Sequence, residues 1–101
     1  MEALTGQQIL ASGLVGWKEQ DRALHASFTI TDYSSAAVFI AEVAKIVDAE
    51  DHHPDLTLSY GVLKVTMCTH SKGPKVTQRD VDMARRISTI ATDFGIAPKP
   101  T

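Results

Sequence analysis

The stretch Val62–His70, VLKVTMCTH, alternates between apolar and polar residues from Leu63 to Met67. Leu63, Val65 and Met67 fall on one side of an extended chain, and Lys64, Thr66, Cys68 and His70 fall on the other. Such a strand buries one face and leaves the other free, so it belongs in an antiparallel sheet covered on a single side. A second run obeys the same rule, with Leu24, Ala26, Phe28 and Ile30 alternating with His25, Ser27 and Thr29. Each run has a partner nearby. Trp17 marks a strand ahead of the one, with Glu19, Gln20, Asp21 and Arg22 as the hairpin turn; Leu56–Tyr60 alternates ahead of the other, interrupted by Gly61.

The cover has to come from the same 101 residues, because a chain of this length supports one core. Three segments can supply it. Thr5 and Gln8 have the spacing of a capping box ahead of Ile9, Leu10 and Leu14, which predicts a short helix over about residues 5–12 that Gly13 ends. After Thr31 and Asp32, either of which can cap, Ser34–Glu50 reads as a helix with Phe39, Val43, Ile46 and Val47 on one stripe, broadened by Ala36, Ile40 and Ala44. Thr77 and Asp80 form a second capping box, ahead of a helix from Val81 to Phe94 whose stripe is Val81, Ala84, Ile87, Ile90, Ala91 and Phe94, with Gly95 as its stop. The order is α-β-β-α-β-β-α, an α+β single domain: a four-stranded antiparallel sheet with helices packed on one face. Residues 1–96 form the domain, and 97–101 form a flexible C-terminal tail in which Pro98 and Pro100 prevent a continued helix.

Charge and cysteine content exclude several classes of function. The net charge of -2 lacks the cationic excess that phosphate backbones require, so no direct nucleic-acid binding is expected. The single cysteine, Cys68, permits no intrachain disulfide and no cysteine zinc cluster, and a reducing cytoplasm fits best. No apolar stretch approaches the roughly 18 residues of a membrane span, and the N-terminal MEALTGQQILASGL lacks a basic region before an apolar run. The reading is a soluble protein that is not exported and has no membrane partner.

One segment resists a purely structural account. Asp48–Asp55, DAEDHHPD, sets two adjacent histidines among four carboxylates, and the chain has only four histidines in all. Asp48 and His52 are four residues apart, so a helix reaching that far would lay the carboxylate beside the imidazole and hold its tautomer. His53 precedes Pro54, which biases it toward extended backbone and swings its ring away from that of His52. His70 ends a strand whose hairpin partner starts beside the pair, so the three rings can converge. Plainer readings stand beside this one. The His-His pair and His70 could be solvated surface groups, His25 faces solvent, Cys68 is a small strand residue, and Asp80 is accounted for as a capping residue. Three histidines with Asp48 or Asp51 could also make a tetrahedral zinc site, although consecutive extended side chains diverge and chelate one ion poorly.

Asp48, His52-His53-Pro54, Tyr60, His70 and Asp80 together carry a resemblance to the pterin-4a-carbinolamine dehydratase family. The surrounding text agrees with it: Gly16-Trp17, the Phe28 strand, the helix before the histidine pair, Thr69-His70, and the Thr77-Gln78-Arg79-Asp80 opening of the last helix. Three departures bear on pocket shape. Asp48 stands where Glu is common, Leu56 where many members have Trp, and the segment Ser71–Thr77 is one residue longer than usual and carries Pro74.

The resemblance implies dehydration of a 4a-hydroxytetrahydropterin to the quinonoid dihydropterin, with no cofactor and no metal. It implies His52, His53 and His70 as catalytic residues, with His52 and His70 exchanging protons with the leaving oxygen and N5, and His53 orienting the pterin. Asp51, His52, His53, Cys68, Thr69, His70 and Ser71 would contact substrate, with Asp48 and Asp80 in support. A homodimer or homotetramer is implied as well, and the last helix, whose apolar stripe looks wider than one sheet face requires, is where it is expected to form. The alternative within the family is a non-catalytic binding or assembly protein, a transcription coactivator or enzyme assembly factor, acting through its helical surface.

Overall fold

The computed structural model describes residues 2–71 and 73–99. Helix α1 (Gly6–Ala11) is followed by strands β1 (Trp17–Gln20) and β2 (Ala23–Thr29), helix α2 (Tyr33–Glu50), strands β3 (Asp55–Ser59) and β4 (Val62–Met67), and helix α3 (Gln78–Asp93). The four strands form one antiparallel sheet in the order β1-β2-β4-β3. This is the predicted fold and element order. β2 and β4, the strands with the strongest alternation, occupy the centre, where both neighbours demand one buried face.

Register explains which side chains meet. Leu24, Ala26 and Phe28 lie opposite Met67, Val65 and Leu63, and Leu56 and Leu58 continue the apolar row onto β3 opposite Val65 and Leu63. Ala36, Phe39 and Val43 from α2 and Val81, Ala84, Ile87 and Ala91 from α3 close over that row in one buried cluster. Phe28 is its hub, edge-on to Trp17 at 6.3 Å and to Phe39 at 5.6 Å. The Trp17 indole N–H donates to the Ser88 hydroxyl at 2.7 Å and ties β1 to α3.

Local signals fix the element ends. Thr5 and Gln8 make the reciprocal capping box of α1. Asp32, rather than Thr31, caps α2 by accepting from the Ser35 amide at 2.8 Å. Bonds from the Ser35 backbone and hydroxyl hold its carboxyl below the usual carboxylate range. Asp21 and Arg22, both at positive φ, turn β1 into β2 in two residues, so the turn is tighter than the four residues anticipated. Tyr60 and Gly61 do the same between β3 and β4.

Several expectations need correction. Ala44 is exposed, and Phe94, the C-cap of α3, is 42% exposed, so neither belongs to the buried stripes. The rest of the α3 stripe is largely consumed by the protomer's own core, which removes the argument for oligomerisation through a surplus apolar face on that helix. The regular pairing of β4 stops at Met67, ahead of His70. Residues 97–99 are not a loose tail: Thr29 N–H donates to Ala97 O at 3.0 Å and Lys99 N–H to Ser27 O at 2.8 Å. They take the side of β2 that the short β1 leaves unpaired, because unpaired strand groups seek partners. Residues 100 and 101 of the predicted tail lie outside the described residues. Among the described residues, no helix is long and apolar enough to cross a membrane.

Candidate active site

The histidine pair sits at the corner between α2 and β3, and one residue makes that corner. Asp51 caps α2 in the left-handed conformation, with φ 50° and ψ 45°. Asp tolerates this region better than most residues. The reversal sends the next two side chains in different directions. His52 turns inward and is 7% exposed, whereas the His53 side chain is 63% exposed, with Nδ1 3.9 Å from Asp51 Oδ1. Pro54 then leads into β3.

His52 finds a carboxylate from a distant part of the chain. Its Nε2 lies 2.6 Å from Oδ1 of Asp80, which is fully buried at the start of α3. Oδ2 of the same carboxyl accepts from the Thr77 backbone N–H at 2.8 Å and from the Thr69 hydroxyl at 2.9 Å. The Thr77 hydroxyl is 2.7 Å from Thr69 Oγ1 and 3.4 Å from Asp80, so its single proton goes to Thr69. Four buried polar residues, His52, Thr69, Thr77 and Asp80, thereby satisfy one another, and among the described residues no buried side-chain N or O lacks a partner. A carboxylate oxygen accepts, so Nε2 of His52 is the donating nitrogen and Nδ1 is the one that Asp80 does not engage.

Asp80 therefore has two roles where the sequence suggested capping and general support. It closes the capping box of α3 and holds His52. Asp48, expected to hold that ring, is exposed, and the bond goes to Asp80 instead. The left-handed Asp51 is the physical reason: it takes His52 off the helical line on which a four-residue spacing would have operated.

The third histidine reaches the site from the other side. Beyond β4 the chain is pinned by reciprocal Thr69–Lys75 backbone bonds of 2.7 and 3.0 Å, and Gly73 N–H donates to His70 O at 3.2 Å. That pinning buries Thr69 and leaves His70 exposed, with Nε2 of His70 3.6 Å from the Cys68 sulfur. Burial, then the nearby negative charges of Asp80 and Asp55, push the Cys68 thiol up. It stays a thiol at neutral pH and is a poor nucleophile.

Asp51, His52, His53, Cys68, Thr69, His70 and Ser71 all line one cleft of about 240 Å³. An eighth lining residue, Arg79, was missed in the sequence. Its place beside Asp80 in Thr77–Asp80 was the available signal. Its guanidinium donates to Glu50 O at 2.8 Å and so clamps the end of α2 to α3. Tyr60, the aromatic of the motif, lies at the hairpin tip, 97% exposed, and does not line the cleft. Among the described residues, no three His, Cys, Asp or Glu side chains are gathered in a metal-holding cluster.

An α+β domain with histidines gathered between a helix end and a strand end has known counterparts. The sequence model of the family described as Pterin 4 alpha carbinolamine dehydratase matches residues 2–90. A protein of Rhodopseudomonas palustris strain HaA2, provisionally named pterin-4-alpha-carbinolamine dehydratase, is 39% identical, covering 96% of this chain and 99% of its own. One from Streptomyces coelicolor with the same provisional name is 37% identical over 81% of each chain. The crystal structure of a transcriptional coactivator/pterin dehydratase from Brucella melitensis superposes with a TM-score of 0.82 at 35% identity, covering 89% of this chain and 99% of that one. A pterin dehydratase-like protein identified as a RuBisCO assembly factor in the alpha-carboxysome shares the fold, with a TM-score of 0.63 at 19% identity over 76% of this chain and 90% of its own. The chain belongs to the pterin-4-alpha-carbinolamine dehydratase family.

Proposed function

We propose that the protein is a 4a-hydroxytetrahydropterin dehydratase, acting in tetrahydropterin recycling. The supporting observation is the cleft itself: three imidazoles line one wall set, and one of them is held by a buried, fully satisfied carboxylate. The reaction breaks the C4a–O bond, delivers a proton to the departing hydroxyl and removes one from N5. Water leaves, and no electrons are gained or lost. Imidazole serves both transfers because its acid and base forms coexist near neutral pH.

In this reading His52, with Nε2 committed to Asp80, exchanges its proton through Nδ1, and His70 acts from the opposite side of the cleft. His53 orients the ring and assists. Asp51 accepts from the amino and N3–H donors of the pterin edge, which a carboxylate complements, and Cys68, Thr69 and Ser71 line the remaining contacts. Asp80 supports His52. The chain works as a homodimer or homotetramer in the cytoplasm, a state that solution mass measurement tests.

A second reading, a binding or assembly role, rests on the Brucella relative, which is described as a coactivator as well as a dehydratase. A spectroscopic assay of 4a-hydroxytetrahydropterin dehydration separates the two. Turnover above the spontaneous rate, lost in a His53→Ala variant that stays folded, supports the enzyme; turnover at the spontaneous rate supports the binding protein.

A further inference from the structure

The sheet has a second built feature, away from the histidines. β1 pairs with β2 only over Ala23–Ala26, and residues 97–99 take over along Ser27–Thr29. Between these two partners lies a notch, and its floor depends on Gly16. That residue has φ +85°, and a Cβ there would lie 3.0 Å from the Pro98 side chain. Glycine thus lets the tail close against the start of β1.

The notch encloses about 420 Å³, against 240 Å³ for the histidine cleft, and falls within the range typical of small-molecule sites, roughly 300 to 1,000 Å³. Lys18 enters from β1, His25 and Ser27 from β2, and Lys99 from the tail, while Val15 and Pro98 supply apolar wall. Among the described residues, no Asp or Glu lines it. Neither Lys18 nor Lys99 is in an ion pair among the described residues. His25 donates Nε2–H to Gln20 O at 2.9 Å, and its Nδ1 is 3.3 Å from Thr66 Oγ1, so the ring is fixed at the edge of the notch. The chain as a whole carries 12 acidic and 10 basic residues, so two ammonium groups with no Asp or Glu beside them among the described residues form a local reversal of its charge.

We infer that this notch binds a compact organic anion, a phosphate or carboxylate group held by Lys18 and Lys99 with its apolar body against Val15 and Pro98. Two cations from separate chain segments converge on an anion better than either alone, and the apolar wall rewards a ligand larger than a bare ion. The site shares no lining residue with the histidine cleft, so it stands independently of the proposed reaction.

Titration of isotope-labelled protein followed by amide and side-chain resonances tests the inference, with phenyl phosphate, benzoate and inorganic phosphate as probes. Phenyl phosphate or benzoate is expected to give saturable shifts confined to Val15–Lys18, His25–Ser27 and Lys99. Inorganic phosphate should bind at least ten-fold more weakly, and Lys18→Gln with Lys99→Gln should weaken the organic probes at least ten-fold. Both lysines are exposed, so this double variant is expected to fold, and His53→Ala should leave the titration unchanged. Shifts spread over all lysines, shifts that persist in the double variant, equal binding of the bare ion, or no saturable shift would each overturn it.

Discussion

His52 and His53 are neighbours in sequence and opposites in environment. The first is 7% exposed and bonded to a carboxylate with no exposure at all; the second has a side chain 63% exposed and only a long approach to Asp51. One left-handed residue, Asp51, produces the divergence. The difference teaches that the cleft has a rigid wall and a free rim. Changes to the wall should cost stability and function together, and changes to the rim should cost function alone.

Asp80→Ala gives the largest combined effect. It strands the His52 N–H, the Thr77 amide and the Thr69 hydroxyl without an acceptor, and each buried donor left unsatisfied costs about 1 to 3 kcal/mol. Urea denaturation should show a loss of at least that size, with dehydration near the spontaneous rate; a variant of unchanged stability would remove the wall from the comparison. His53→Ala should do the reverse, lowering the dehydration rate by about 10² to 10⁴-fold. Its stability should stay within about 0.5 kcal/mol of the parent, as for other exposed substitutions. Equal losses of stability in both variants would erase the distinction between wall and rim.

Smaller effects sharpen it. Thr69→Val keeps the shape and deletes one buried hydroxyl donor to Asp80, for an expected loss of about 1 to 2 kcal/mol in denaturant unfolding. Cys68 provides a test in pH. Its folded-state pKa is raised above 9.0 by burial and by Asp80 and Asp55, so the stability it contributes is present below pH 9 and falls as pH rises through the folded value. A Cys68→Ser variant, without a titrating thiol, should lose less stability between pH 8 and about pH 11 when thermal unfolding is followed. Asp48→Ala should change neither activity nor stability measurably, because the carboxylate is exposed and His52 is held elsewhere. A large effect on His52 in that variant would restore the local pairing that the fold replaces.

Local features were legible in the chain. Alternation and 3.6-residue periodicity, the two capping boxes and the glycines gave the α-β-β-α-β-β-α order, and the His-His-Pro corner and the end of β4 supplied the residues that share the cleft. These depend on neighbours within a few positions, where backbone sterics and hydrogen bonding act without help from the rest of the fold. What the sequence left open was set by contacts between distant segments. His52 and Asp80 are 28 residues apart, and their bond exists only because α3 packs its first turn beneath the corner of α2. Arg79 joins the cleft, and residues 97–99 join the sheet, for the same reason. A spacing rule suggested Asp48 as the partner of His52. Tertiary packing chose Asp80, because a buried carboxylate already fixed by the helix cap could accept from the imidazole without leaving any polar group unpaired.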